Sequence, residues 1–386
     1  MLQRDQTSLF ALIFGGVLSL VLTMGLARFS YTNALPAMQN ELGLGADAGG
    51  WLAAVNYAGY LTGALVATRV ASLQVRLWLF RVLIVCAVLC NALMPVFDNL
   101  TAWSVLRYLS GLSTAGGMVI GTSLVIQSLR MRGRPALVGV HFGGVGLGIA
   151  LVALVLGGQW FTLNWQEIWY VSALLGLVTL PFALAGVQVR TPVAGPGISA
   201  GDDVFDRRAF AFLCVSYFFS GCTYSIETTF IVAVFESDPV LRASANLAWL
   251  LVGLSAAPSA YLWVKLAARY GTSATLILAG VLQTVGCLLP VIMPGTWPAL
   301  IGSVLFGSTF MGIVAVVLAL GGHLSRHNPA KLMGLLVVAY GVGQISGPLG
   351  TGLWMEHSGN ALSALWIAGA LSAVSVVLLL PARFQD

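Results

Sequence analysis

The chain has 386 residues, of which 58% are hydrophobic and only 8% charged, with a mean hydropathy of +0.92. A soluble domain needs about a quarter of its residues charged, so a water-soluble protein is excluded. Apolar runs of about twenty residues, rather than alternating ten-residue segments, exclude a β-barrel.

The net charge of +5 does not signal nucleic acid, because the basic residues recur in the short loops that follow every second apolar run. They are Arg69 and Arg76; Arg130, Arg132 and Arg134; Arg190, Arg207 and Arg208; Lys265 and Arg269; Arg326 and Lys331; Arg4 and Arg383 lie near the ends. The intervening loops hold only Arg242. This is the positive-inside pattern of a multi-pass protein in a lipid bilayer, with both termini cytoplasmic.

In chain order, the hydropathy predicts helices over 9–35, 48–68, 76–96, 101–127, 136–158 and 166–188. A second set is predicted over 209–235, 244–268, 273–293, 297–322, 332–354 and 360–381. The first helix has room to continue past Pro36 toward Gln39. The Arg4 that precedes it resembles the start of a signal peptide. The run is too long for one, however, and Arg28 and Pro36 stand where a small-residue cleavage site is needed.

Between the two sets, the stretch Arg190 to Arg208 carries Pro192, Gly195, Pro196, Gly197, Gly201, Asp202, Asp203 and Asp206. It is the only long polar segment and reads as a linker. The expected organisation is therefore residues 1–189 as one six-helix bundle, 190–208 as a cytoplasmic linker and 209–386 as a second bundle. Gly144-Val145-Gly146 in the fifth helix and Gly341-Val342-Gly343 in the eleventh suggest that the halves repeat, with small residues that permit close helix packing.

Cys86, Cys90, Cys214, Cys222 and Cys287 fall inside apolar runs and imply neither a disulfide framework nor a metal site. The chemistry lies instead with charges inside the membrane. Arg28, in Gly25-Leu-Ala-Arg-Phe-Ser-Tyr-Thr-Asn-Ala-Leu-Pro36, stands about nineteen residues into a helix that starts inside, and Glu227 stands about eighteen into another, at a rise of about 1.5 Å per residue. Arg107 stands about six residues into a helix that starts outside, so all three are expected in the outer half at similar depth.

An ionised group there costs several kcal/mol unless it meets water, a counter-charge or a ligand, which makes each a functional candidate. Snorkelling of Arg28, or a permanent ion pair between Glu227 and one of the arginines, is the alternative. Burial favours the neutral acid and a nearby guanidinium favours the carboxylate. Glu227, held between these influences, is the candidate proton-coupling residue. Two arginines against one glutamate favour an anionic or zwitterionic small molecule, because each guanidinium can grip a carboxylate or phosphate with two bonds.

Polar residues three or four apart on one helix face suggest a lining. They are Tyr31 and Asn33; Asn56 and Tyr60; Tyr224, one turn from Glu227; His141; and Tyr340 with Gln344. Each alone also reads as an interhelical hydrogen bond, and Trp249 and Trp263 as cavity aromatics or interface anchors.

Four stretches resemble the major facilitator superfamily. Leu266-Ala267-Ala268-Arg269-Tyr270-Gly271 with Leu276 is similar to its cytoplasmic Leu-Ala-Asp-Arg-x-Gly signature, and the counterpart after the second helix keeps Gly63 and Leu65. The signature Asp is replaced by Ala268 in one copy and Ala67 in the other. Arg107-Tyr-Leu-Ser-Gly111 resembles the Arg-x-x-x-Gly signature, whose Arg faces the central cavity.

Gly343-Gln-Ile-Ser-Gly347-Pro348, with Gly350 and Gly352, resembles the Gly-x-x-x-Gly-Pro signature that antiporters carry in the fifth helix; here the fifth has Gly144 and Gly148 without the Pro. Arg28-Phe29-x-Tyr31 with Leu35-Pro36 is most similar to the YbfB/YjiJ group of bacterial inner-membrane transporters.

The resemblance implies an all-α integral membrane fold of twelve helices in two pseudo-symmetric six-helix bundles. It also implies a monomeric secondary active transporter in the inner membrane, moving a small solute by alternating access, with export mildly favoured; Glu227 adds protons as the coupling partner, and an uncoupled facilitator of the same fold is the alternative. No cofactor is expected, since the sequence has no phosphate-cradling Gly-x-x-x-x-Gly-Lys motif. A membrane-embedded enzyme would need a His-Glu-x-x-His motif or paired aspartates in the bilayer, and His323, His327 and His357 are scattered at helix ends. A receptor is equally disfavoured for want of a sizeable soluble domain.

Overall fold

The computed structural model describes residues 8–134, 137–157, 162–188, 206–324 and 329–382. Within them the chain forms twelve helical rods. The first six are α1 (Leu9–Leu42), α2 (Ala46–Arg69), α3 (Leu73–Leu93), α4 (Leu100–Met131), α5 (Val138–Leu156) and α6 (Trp165–Gly186). The second six are α7 (Arg207–Ser237), α8 (Ala245–Tyr270), α9 (Thr272–Ile292), α10 (Thr296–Leu324), α11 (Pro329–Ser358) and α12 (Ser363–Leu379).

Ten of the twelve are long and apolar enough to cross a bilayer. The exceptions are α12, with 17 residues, and α2, whose hydropathy is diluted by Gly49, Gly50, Asn56, Tyr57, Gly59 and Tyr60. Those same residues turn out to face other helices or the site. The predicted linker lies outside the described residues except for Asp206, Arg207 and Arg208, as do Arg4, Arg326, His327 and Arg383.

Local chemistry sets the helix ends. The Asp206 carboxylate accepts from the backbone N–H of Arg208 at 2.8 Å and of Ala209 at 3.1 Å, starting α7 two residues earlier than hydropathy predicts. Asn164 and Glu167 form a reciprocal capping box at the start of α6. The first helix passes Pro36 and runs to Leu42, because losing one N–H does not end a buried, packed helix. The stop comes at Gly43, whose left-handed φ of +66° turns its N–H back onto Gln39.

The main pairings of helices in the first half recur six helices later, the contact of α1 with α4 being particular to the first. In the first half, α1 packs on α5 and α6, α2 on α4, and α3 on α4 and α6. In the second, α7 packs on α11 and α12, α8 on α10, and α9 on α10 and α12. The halves meet along α2 with α11, α5 with α8, and α1 with α7, contacts that also map onto each other under this shift. The fold is therefore two six-helix bundles related by a pseudo-two-fold axis.

The Gly-Val-Gly motifs occupy equivalent places in it. Gly144 lies against the backbone of α1 at Val17 and Gly343 against α7 at Phe218, so each holds its own bundle together. Gly146 touches the α8 backbone at Gly253 and Ala257, and Gly341 touches Leu61 of α2, so each serves the contact between bundles. A side chain at Gly146 has no room, because backbone stands on the far side.

Candidate functional site

The site begins with an irregularity in α1. Residues Val21–Phe29 form a π-helical segment, in which Ser30 N–H bonds back to Gly25 rather than to the residue four before it. Carbonyls in such a segment are open to other donors. That of Leu26 accepts from Asn91 Nδ2 of α3 at 2.9 Å and from Ser172 Oγ of α6 at 3.1 Å. That of Ala27 accepts from Ser110 Oγ at 2.9 Å and Arg107 Nη1 at 3.4 Å, both of α4. A second π segment, Gly116–Gly121 of α4, lies beside the first. Three neighbouring helices thus fix the backbone that carries Arg28.

Arg28 is 4% exposed. Its guanidinium carbon lies 4.3 Å from the centre of the Tyr57 ring and 4.7 Å from that of Tyr60. Among the described residues its only polar contact is Nη1 to the Met24 sulfur at 3.9 Å, and its Nε and Nη2 have no hydrogen-bond partner there. Arg107 is buried beside it, with its guanidinium 4.3 Å from the Tyr31 ring centre and 5.9 Å from that of Trp169. Its Nε is also without a partner. Tyr31 is held in turn, donating its hydroxyl to the Gly49 carbonyl at 2.8 Å. Asn56 Nδ2 donates to the Arg107 carbonyl at 2.9 Å and leaves its own Oδ1 unpartnered.

The far wall comes from the other bundle. Tyr57 and Thr228 share a hydroxyl hydrogen bond of 2.9 Å, and the Thr32 hydroxyl donates to the Thr228 carbonyl at 2.5 Å. Tyr224 stands 6.3 Å from Tyr57 and 5.9 Å from Tyr340, ring centre to ring centre, while Tyr340 stacks on Tyr217 at 4.4 Å. Arg28 and Arg107 line one cleft with Thr32, Asn56, Tyr57 and Thr228. Its free volume is about 10 Å³, room for roughly one water. In this conformation the bundles close on the guanidinium groups, and an organic solute requires them to part.

Of the residues predicted from sequence, the structure gathers Arg28, Tyr31, Asn56, Tyr60, Arg107, Tyr224 and Tyr340 around this cleft. Glu227 does not join them, although its depth is as expected. The next residue, Thr228, faces α1 and α2, and one step along a helix turns the side chain by about 100°. Glu227 therefore points into its own bundle, against Cys287 of α9 and Ser303 and Phe306 of α10. It is 2% exposed, its Oε1 has no hydrogen-bond partner, and among the described residues it makes no ion pair with either arginine.

His141 is also elsewhere, between α1 and α4, where Nε2 and the Thr122 hydroxyl are 2.9 Å apart and Gly16 lies alongside. Asn33 lines a separate cavity with Glu41, near the end of α1, and Glu236, near the end of α7. Gln344 is buried one turn beyond Tyr340 with Oε1 unpartnered. Trp249 packs edge-on to Phe29 at 5.8 Å and Trp263 donates to the Ser308 carbonyl, so both belong to helix packing. Sequence reasoning missed Tyr57, Thr32, Asn91, Trp169 and Thr228. Tyr57, three residues before Tyr60, carried a signal in that spacing; the two threonines carried none.

The sequence matches the family described as "Uncharacterised MFS-type transporter YbfB" over residues 20–380. Among curated proteins no sequence matches. The fold is similar to that of the nucleoside transporter NupG. A NupG mutant superposes with a TM-score of 0.73 at 14% identity, covering 96% of this chain and 100% of that one. A second NupG structure gives 0.69 at 14% identity, covering 97% and 100%. At this identity the likeness speaks for the fold alone. With two pseudo-equivalent bundles and a match over nearly its whole length, the chain belongs to the YbfB-type family of the major facilitator superfamily and is a membrane transporter, not an enzyme.

Proposed function

We propose that the protein is a proton-coupled secondary active transporter of a small organic anion or zwitterion, bound between Arg28 and Arg107. The observation that carries the reading is a pair of buried guanidinium groups with partnerless N–H groups and, among the described residues, no carboxylate in the lining of their cleft. A buried cation in this state is costly unless something anionic completes it. Aromatic faces offset part of the cost and leave the N–H edges free for a carboxylate or phosphate.

Alternating access follows from the position of the cleft between pseudo-equivalent bundles. The inner membrane, cytoplasmic termini and a monomeric unit fit the basic loops and the self-contained pair of bundles. Likeness of Gly343 to Pro348 to the antiporter signature favours export. The nucleoside named for NupG is not carried over, because a nucleoside has no anionic group to pair with two guanidinium groups.

Glu227 is the proposed proton carrier. Its carboxyl is buried without a cationic partner, and the adjoining Thr228 holds Thr32 and Tyr57 of the other bundle. A change at Glu227 therefore sits one residue from the contact that opens.

Thermal stabilisation of the purified protein by a panel of carboxylates, phosphates and amino acids tests the binding site. Anions or zwitterions should stabilise it, and Arg28→Lys and Arg107→Lys should each weaken the effect roughly tenfold by removing the two-bond grip. Stabilisation by neutral solutes alone, or indifference to both substitutions, overturns the reading. A stabilising solute should then exchange label in liposomes by counterflow.

A further inference from the structure

A second site stands apart from the arginine cleft. On the side away from the basic loops, the ends of α1, α5 and α7 and the starts of α6 and α8 enclose a cavity of about 300 Å³. Its charged lining is acidic, with Glu41 at the end of α1 and Glu236 at the end of α7. It deepens from Glu41 to Asn33, eight residues back along α1 or about 12 Å at helical rise.

Asn33 is 4% exposed and its Oδ1 has no hydrogen-bond partner; the buried Oδ1 of Asn246, on the opposite wall, has none either. Two carboxylates and two vacant amide oxygens are acceptors without enough donors. One oxygen of Glu41 already receives the Trp165 N–H at 3.1 Å. The nearby Arg242 directs its Nε to the Glu236 backbone carbonyl at 2.8 Å. Glu236 itself is partly buried, with Arg242 as the charge that acts on it among the described residues.

We propose that this outer cavity binds an organic ammonium group. Such a group brings three N–H donors to acceptors that have too few, and a second positive charge beside Arg242 for the two carboxylates. Its carbon chain would lie on Leu163 and Ile168, which also line the cavity. A dehydrated metal ion fits less well, since among the described residues no three His, Cys, Asp or Glu side chains converge. The proposal uses neither Arg28 nor Arg107 and does not depend on the anion reading.

The test is the thermal stability of the full-length protein titrated with n-butylammonium, against sodium and n-butyrate at equal concentration. A saturable rise with n-butylammonium is expected. It should need roughly tenfold more ligand in Glu236→Gln, which keeps the shape and loses the charge, and in Asn33→Leu, while persisting in Arg28→Lys. Carbodiimide labelling of Glu236 in the unsubstituted protein gives a readout that needs no variant, and n-butylammonium should slow it severalfold. No saturable rise, an equal rise with sodium or butyrate, or unprotected Glu236 overturns the proposal.

Discussion

The guanidinium of Arg28 lies 4.3 Å above the Tyr57 ring, and the hydroxyl of that ring is bonded to Thr228 of the opposite bundle. One tyrosine thus carries a buried charge on its face and joins the bundles at its edge. The two roles separate by substitution.

Tyr57→Phe keeps the face and loses the hydrogen bond. It should lower stability by about 1 kcal/mol and leave anion-induced stabilisation within a factor of about three. Tyr57→Leu loses both, and the uncovered guanidinium should cost a further 1–2 kcal/mol or so. Thermal denaturation of the two variants side by side checks this, and equal costs would show that the ring face contributes nothing.

Glu227→Gln should leave counterflow intact and abolish accumulation driven by a pH gradient. The amide fills the same space beside Cys287 and Ser303 but cannot exchange a proton. Liposomes with and without an imposed gradient make the measurement. Persistent gradient-driven accumulation in the folded variant removes Glu227 from the coupling step.

Depth along a helix was legible in the sequence, and direction was not. Counting residues from the ends placed Arg28, Arg107 and Glu227 at one level, and the structure agrees, since Arg107 bonds Ala27 and Glu227 adjoins a residue that bonds Thr32. Which side each faces depends on the phase of the helix, and α7 carries buried polar residues on every side, among them Ser220, Thr223, Tyr224, Ser225, Thr228 and Thr229, so its pattern gives no phase. The π segment of α1 adds a local change of phase that no spacing rule anticipates. The fold itself was readable because bilayer length, basic loops and the repeated glycines agree.

A hydrogen bond closes the α2–α11 contact where α2 starts and α11 ends, with Glu356 Oε2 accepting the Ala46 N–H at 2.8 Å. A carboxylate at a helix N-terminus is favoured by both the vacant donor and the helix dipole, together worth about 1–2 kcal/mol. Because the bond joins the two bundles, Glu356→Ala should shift the population toward opening at this end by roughly tenfold, since about 1.4 kcal/mol is tenfold. Distance distributions between spin labels at the start of α2 and the end of α11 check it. An unchanged distribution in a variant of normal stability means that the bond is ornamental to gating.

The α5–α8 contact is held by closeness rather than by polar bonds, and two glycines give opposite expectations. A Cβ at Gly146 would press on the backbone of Gly253 and Ala257, neither of which can swing aside as a side chain does. Gly334 in α11 has nothing within 4 Å of the same position. Gly146→Ala should therefore cost about 1–3 kcal/mol by overpacking, whereas Gly334→Ala should gain up to about 1 kcal/mol from helix propensity. Because the strained contact lies between bundles, Gly146→Ala should also slow transport or favour the separated state, and Gly334→Ala should do neither. Thermal stability and counterflow rates for the pair are the measurement. A neutral Gly146→Ala would mean that α5 and α8 stand farther apart than their backbones indicate.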